Sequence, residues 1–184
     1  GDVGEIRGLV DDSLAGGPRL RGLGAAGCGD KVSTATATLL SPTGASVGSV
    51  TISQTGSAQQ VQVTLALTGL PAGKHGAHLH DVGKCDPPDF MTAGGHFNPT
   101  SQSHGDPNQS AHHSGDFGNV DVGADGTGAL SITTTTLSLS ADQATYAANH
   151  AFIIHQNPDD LVTQPTGNSG ARIACGIIPV PSGG

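Results

Sequence analysis

Val61-Gln62-Val63-Thr64-Leu65-Ala66-Leu67-Thr68 alternates large aliphatic residues with Gln, Ala and Thr along its whole length. A period of two sends alternate side chains to opposite faces, so this stretch predicts a strand with one buried face. Upstream, Thr34, Thr36 and Thr38 alternate with Ala35, Ala37 and Leu39, and Ser41-Pro42-Thr43-Gly44 supplies a turn before a second strand at 47–53. Downstream, similar signals fall at 75–80, 119–122, 129–139, 151–155 and 173–178. Eight short strands with little helical pattern predict an all-β antiparallel sandwich or Greek-key barrel. Two long connections, 81–118 and 156–172, interrupt the series, and loops of that length are usually functional.

The chain has 184 residues, enough for one domain with a real core. Net charge is −8, which makes nucleic acid and anionic membrane poor partners. From Val32 onward the only cations are Lys74, Lys84 and Arg172, so an isolated Arg172 is either a surface accident or an anion dock. No apolar run reaches the roughly 18 residues of a membrane span. Residues 1–31 are Gly-rich with few large apolar side chains, and they read as a flexible extension ahead of a domain at 32–184. They contain no apolar leader segment, so the chain reads as a mature or trimmed form, or as one with a misassigned start. Leu23-Gly24-Ala25-Ala26-Gly27-Cys28 faintly suggests a lipid-attachment cysteine, although a linker thiol is the simpler reading.

The histidines carry the chemistry. His78 and His80 sit two apart on a predicted strand, which puts both rings on one face. His96 lies in Gly94-Gly95-His96-Phe97-Asn98-Pro99, His104 follows, and then come His112, His113 and Asp116. His155 closes the apolar run Ala151-Phe152-Ile153-Ile154. Four imidazole nitrogens favour copper, whereas three histidines and one aspartate make a closed zinc site. Six of these histidines with Asp116 make seven ligands for eight positions, which suffices only if one imidazole binds a metal at each nitrogen, and His96, between the two groups in sequence, is the natural bridge.

Four segments resemble the copper/zinc superoxide dismutase family. They are Gly76-Ala77-His78-Leu79-His80, Gly95-His96-Phe97-Asn98-Pro99, His113-Ser114-Gly115-Asp116 and Gly167-Asn168-Ser169-Gly170-Ala171-Arg172-Ile173-Ala174-Cys175-Gly176. The resemblance implies an eight-stranded Greek-key β-barrel with two long functional loops. It implies copper held by His78, His80, His96 and His155, and zinc held by His96, His104, His113 and Asp116. His113 is preferred to His112 because the family places its last zinc histidine three residues before the aspartate.

By the same resemblance, Asp159 links a copper histidine to a zinc histidine, with Asp160 as the alternative. Cys85 and Cys175 form a disulfide, which suits a secreted, periplasmic or envelope-attached protein. Cys85 follows Gly83 by two residues, as in the bacterial branch. Arg172 becomes the dock for superoxide, His96 the group that takes up a proton, and His75 a structural residue; His112 and His150 are expected to be solvated. The implied activity is dismutation of superoxide to dioxygen and hydrogen peroxide, with copper cycling between Cu(II) and Cu(I). A homodimer and a copper-delivery protein are compatible partners. The alternative is a non-enzymatic zinc-binding or copper-buffering relative of the same fold. One departure stands out: residues 156–171 carry no Lys, where many family members place steering cations.

Overall fold

The computed structural model describes residues 31–56 and 60–182. The expected flexible extension, apart from Lys31, lies outside the described residues, and so does Cys28. Eight strands form the fold: β1 (Val32–Leu40), β2 (Ser46–Thr55), β3 (Val61–Leu67), β4 (Gly73–His80), β5 (Asp116–Val122), β6 (Gly128–Thr134), β7 (Ala151–His155) and β8 (Arg172–Ile177). They close into a barrel in the order β1-β2-β3-β6-β5-β4-β7-β8. Closure leaves no strand edge free. Residues 135–150 carry the chain from β6 across to β7, which lies beside β4. The resulting order β7-β4-β5-β6 is a Greek key. Among the described residues no helix is long and apolar enough to cross a membrane.

The period of two decides which side chains fill the barrel. On β3, Val61, Val63, Leu65 and Leu67 are buried while Thr64 and Ala66 are exposed. They meet Ala35, Ala37 and Leu39 of β1, Val50 and Ile52 of β2, and Val120 and Val122 of β5 in one core. Each such aliphatic side chain contributes on the order of 1.5–3 kcal/mol when fully buried.

One element is shorter than its sequence suggests. β6 ends at Thr134 and not at Leu139. The inward residues Leu130 and Ile132 are even-numbered, whereas the buried Leu137 and Leu139 are odd-numbered. The phase slips by one residue, so those leucines cannot extend the same ladder and instead pack from the connection. The backbone there turns to other partners: Leu139 N–H donates to Gln54 Oε1 at 2.6 Å, and Ala147 N–H to Ser138 O at 2.9 Å. The long connections run through 81–115 and 156–171, and both pack against the outer side of β4 and β7.

Candidate metal centre

β4 has both faces buried. Ala77 and Leu79 enter the barrel core, and the same alternation turns His78 and His80 outward beneath the two loops. A register shift between Gly76 and His78 sets His78 opposite Asp116, the first residue of β5. An isolated bridge pairs His80 with His96, and Phe97 N–H donates to Leu79 O at 2.8 Å. Gly115 approaches β4 so closely that a Cβ there would strike Leu79 O. The strand β4 is therefore the template on which the long loop lays down His96 and Asp116.

Each imidazole has one nitrogen tied outward. His80 Nδ1 donates to Gly94 O at 2.9 Å, and His155 Nδ1 to Gly170 O at 3.2 Å. His78 Nε2 and His104 Nε2 donate to the two oxygens of Asp159, at 2.8 and 2.9 Å. In His78, His80 and His155 these bonds fix the tautomer, leaving a lone pair on the inward nitrogen. His80 Nε2 and His155 Nε2 then face each other across 3.3 Å, while His78 Nδ1 and His96 Nε2 are buried without a partner. Facing lone pairs repel, and buried nitrogens without partners are costly, unless a cation sits among them. Ligand atoms of His78, His80, His96 and His155 all lie within 4.8 Å of one another.

Asp116 organises the other half. Its Oδ1 lies 2.9 Å from His96 Nδ1 and 3.3 Å from His113 Nδ1, and its Oδ2 lies 3.1 Å from His104 Nδ1. The last contact is close but poorly aligned, so His104 Nδ1 makes no hydrogen bond. His78, His96, His104 and Asp116 share the 4.8 Å spacing, and His113 stands just outside it, with its Nδ1 3.4 Å from His96 Nδ1. His96 belongs to both groups, as a bridging ring must.

The electrostatics separate the two halves. Burial lowers His155 to about 3 and His96 to about 4, and it pushes His80 well below the ordinary imidazole range. These rings are neutral and ready to ligate at physiological pH. Burial opposes the charge on His104 too, yet the Asp116 carboxylate 3.1 Å from Nδ1 and the hydrogen-bonded Asp159 carboxylate outweigh it and raise His104 to about 9. Burial would raise both carboxyls, but the histidines around Asp116, and His104 and His78 beside Asp159, hold them well below the usual carboxylate range.

Arg172 opens β8 and is half-buried. Its Nη1 donates to Phe90 O and its Nη2 to Gly94 O, both at 2.6 Å. Gly94 O thus accepts from both Arg172 and His80, which ties the guanidinium to the histidine group. Cys85 and Cys175 are disulfide-bonded across a sequence separation of 90. Around that bond Phe90 and Ala93 pack with Ala151 and Ile153 in a second small core. This pins the start of the long loop to the barrel and presents the two carbonyls to Arg172.

Several residues behave differently from their sequence reading, or escape it. His112 is buried, not solvated, with Nδ1 donating to His113 O at 2.7 Å. His150 is half-buried, with Nδ1 donating to Asp81 O at 2.7 Å and its ring 4.1 Å from that of Phe97. The two ring nitrogens of His75 reach His155 O at 2.8 Å and Pro71 O at 2.9 Å. Asp159, and not Asp160, takes the linking position; Asp160 turns to Thr163 on the exposed side. Asn119 and Gln164 have no signature in the sequence, and Gly167 is read there only as part of a resembling segment, yet all three contact the Asp159–His104 pair. At Gly167, where φ is +63°, a Cβ would strike Asp159 Oδ1 and lie 2.6 Å from His104 Nε2.

Comparison with known proteins adds three findings. A family model described as copper/zinc superoxide dismutase matches residues 46–178. The superoxide dismutase-like protein YojM of Bacillus subtilis (strain 168) is 42% identical over 111 residues, which span 59% of this chain and 57% of that protein. Among solved structures, a SOD-like protein from Bacillus subtilis superposes with a TM-score of 0.70 at 36% identity, covering 78% of this chain and 97% of the other. The clock protein EA4 superposes with a TM-score of 0.68 at 29% identity, over 82% of this chain and 94% of its own.

Proposed function

We propose that this chain, which belongs to the copper/zinc superoxide dismutase family, converts two superoxide anions and two protons into dioxygen and hydrogen peroxide. The observation that carries the reading is the convergence of inward nitrogens, above all His80 Nε2 and His155 Nε2 at 3.3 Å beside the unpartnered His78 Nδ1 and His96 Nε2. That donor set suits copper. Asp116 with His96, His104 and His113 suits zinc. His78 cannot replace His113 there, because one of its nitrogens is spent on Asp159 and only the other is left for the copper group. Copper bound in this way supplies one-electron redox chemistry, and zinc supplies a fixed charge that orders its ligands.

The protein's own groups bind the substrate and move the proton. Arg172, held by two carbonyls, presents the remaining edge of its guanidinium to a small anion. His96 Nε2 is the atom at which a proton is held and released to the reduced substrate. Its other nitrogen, Nδ1, faces Asp116 Oδ1 at 2.9 Å, which leaves Nε2 as the free position on the ring. The disulfide supports an extracytoplasmic setting.

Elemental analysis of the purified protein, with superoxide consumption followed before and after copper loading, tests the proposal. About one copper and one zinc per chain, with activity that requires copper, is the expected result. A second reading, a zinc-binding or copper-buffering relative without activity, is favoured by the "-like" description of the Bacillus protein. Zinc alone with no activity after copper loading would select it.

A further inference from the structure

His104 is nearly fully buried, but residues 101–106 have no regular secondary structure, so no strand ladder fixes its main chain. Besides Gly105 N–H, which donates to Asp116 Oδ2 at 3.2 Å, its main chain is held by the side chain of Gln164 in the other long loop. Gln164 Oε1 accepts from His104 N–H at 2.8 Å, and Gln164 Nε2 donates to His104 O at 2.8 Å and to Val162 O at 3.2 Å. Reversing the amide would set donor against donor and acceptor against acceptor, so this orientation is fixed by its partners. Asn119 treats Asp159 in the same way: its Oδ1 accepts from Asp159 N–H at 2.7 Å and its Nδ2 donates to Asp159 O at 2.9 Å. Asp159 in turn accepts from His104 Nε2.

We propose that Gln164 is a positioning residue, a two-point clamp on His104 that pre-organises the zinc half of the centre. This rests on the metal reading given above. Residues 156–171 grip His104 at both ends, Asp159 at the ring and Gln164 at the backbone, and so hold the inward Nδ1 beside Asp116. Losing Gln164 removes both of its bonds to the His104 backbone, leaving only the Gly105 amide on Asp116, but keeps Asp159 seated by Asn119. His78 therefore keeps its Asp159 partner, and the effect falls on zinc and spares copper. Gln164 is itself exposed, so its replacement leaves the barrel core untouched.

The test compares the full chain with Gln164→Met, which keeps length but loses both bonds, and Gln164→Glu, which keeps the acceptor but loses the donor. Zinc affinity is measured by chelator competition, copper affinity likewise, and Co(II) substituted into the zinc site reports ligand geometry by its visible spectrum. Gln164→Met is expected to weaken zinc by about 10–100-fold, with copper affinity held within about twofold. Gln164→Glu is expected to fall between Gln164→Met and wild type, and the Co(II) spectrum of Gln164→Met to shift. Unchanged zinc affinity, or equal weakening of both metals as general loosening would give, overturns the clamp. A wild-type chain that takes up no zinc overturns both the clamp and the metal reading. Selective zinc loss in Gln164→Met, from a wild-type protein inactive toward superoxide, supports the clamp and removes only the enzymatic reading.

Discussion

Arg172 and His104 are the two residues at this centre whose positive charge has structural consequences. Arg172 spends two donors on Phe90 O and Gly94 O and keeps the rest for an anion. Replacing it with isoleucine should lower kcat/KM for superoxide by about 10–100-fold, the equivalent of one charge-assisted hydrogen bond of roughly 1.5–3 kcal/mol. Metal content should stay the same, and unchanged steady-state rates would demote Arg172 to packing. His104 has a consequence in the metal-free protein. Raised from 6.5 to about 9, it stabilises the fold fully below about 6.5, and that contribution is lost as pH rises through about 9. His96 and His155, lowered to about 4 and 3, carry the opposite sign. Unfolding lets them take up protons, so stability falls as pH drops from 6.5 toward those values. Urea midpoints of the chelated protein should therefore peak near neutrality, and a midpoint still climbing at pH 10 would contradict this charge assignment.

At the scale of elements, strand identity was largely legible and loop support was not. Val61 to Leu67 could be read as a strand because burial on β3 obeys one local period. The end of β6 was misread because the apolar spacing continued while its phase slipped, which only the packing of Leu137 and Leu139 makes plain. Histidines and Asp116 stood out by type and spacing. Gly94 O, Gly170 O, Asn119 and Gln164 did not, because backbone acceptors and loop-to-loop amide bonds leave no local pattern in a sequence. The disulfide lies at the junction of these two kinds of element, joining the long loop to β8. Closing so long a segment contributes about 4–5 kcal/mol in the chain-entropy model. Cys85→Ser should lower Tm by on the order of 10 °C in scanning calorimetry. It should also cost activity with copper still bound, because Phe90 O and Gly94 O would no longer be held for Arg172. A Cys85→Ser protein with full activity at a reduced Tm would show that the second small core alone suffices to orient the guanidinium.

Across the whole molecule, charge works against the proposed substrate. The chain carries −8 at neutral pH, and superoxide is itself an anion. Of the described cations beyond Lys31, Lys74 is bound to Asp121 at 2.8 Å on the exposed face of β4 and β5, and only Lys84 and Arg172 remain. Nothing cationic lies in residues 156–171, so attraction is confined to Arg172 and the centre beneath it. At about 10 mM ionic strength the screening length is roughly 30 Å, and an approaching anion senses the acidic body as well as the site. At about 150 mM it shrinks to roughly 8 Å, which removes the distant repulsion together with the outer part of the local attraction. The two changes oppose each other. We therefore expect kcat/KM for superoxide, measured by pulse radiolysis, to vary by less than about threefold across that range, unlike a steered enzyme whose rate falls steeply with salt. A steep fall would mean that the local field of Arg172 and the bound metals outweighs the acidic surface even at long range; a rise would mean that the body of the protein repels its own substrate and that Arg172 acts only at contact.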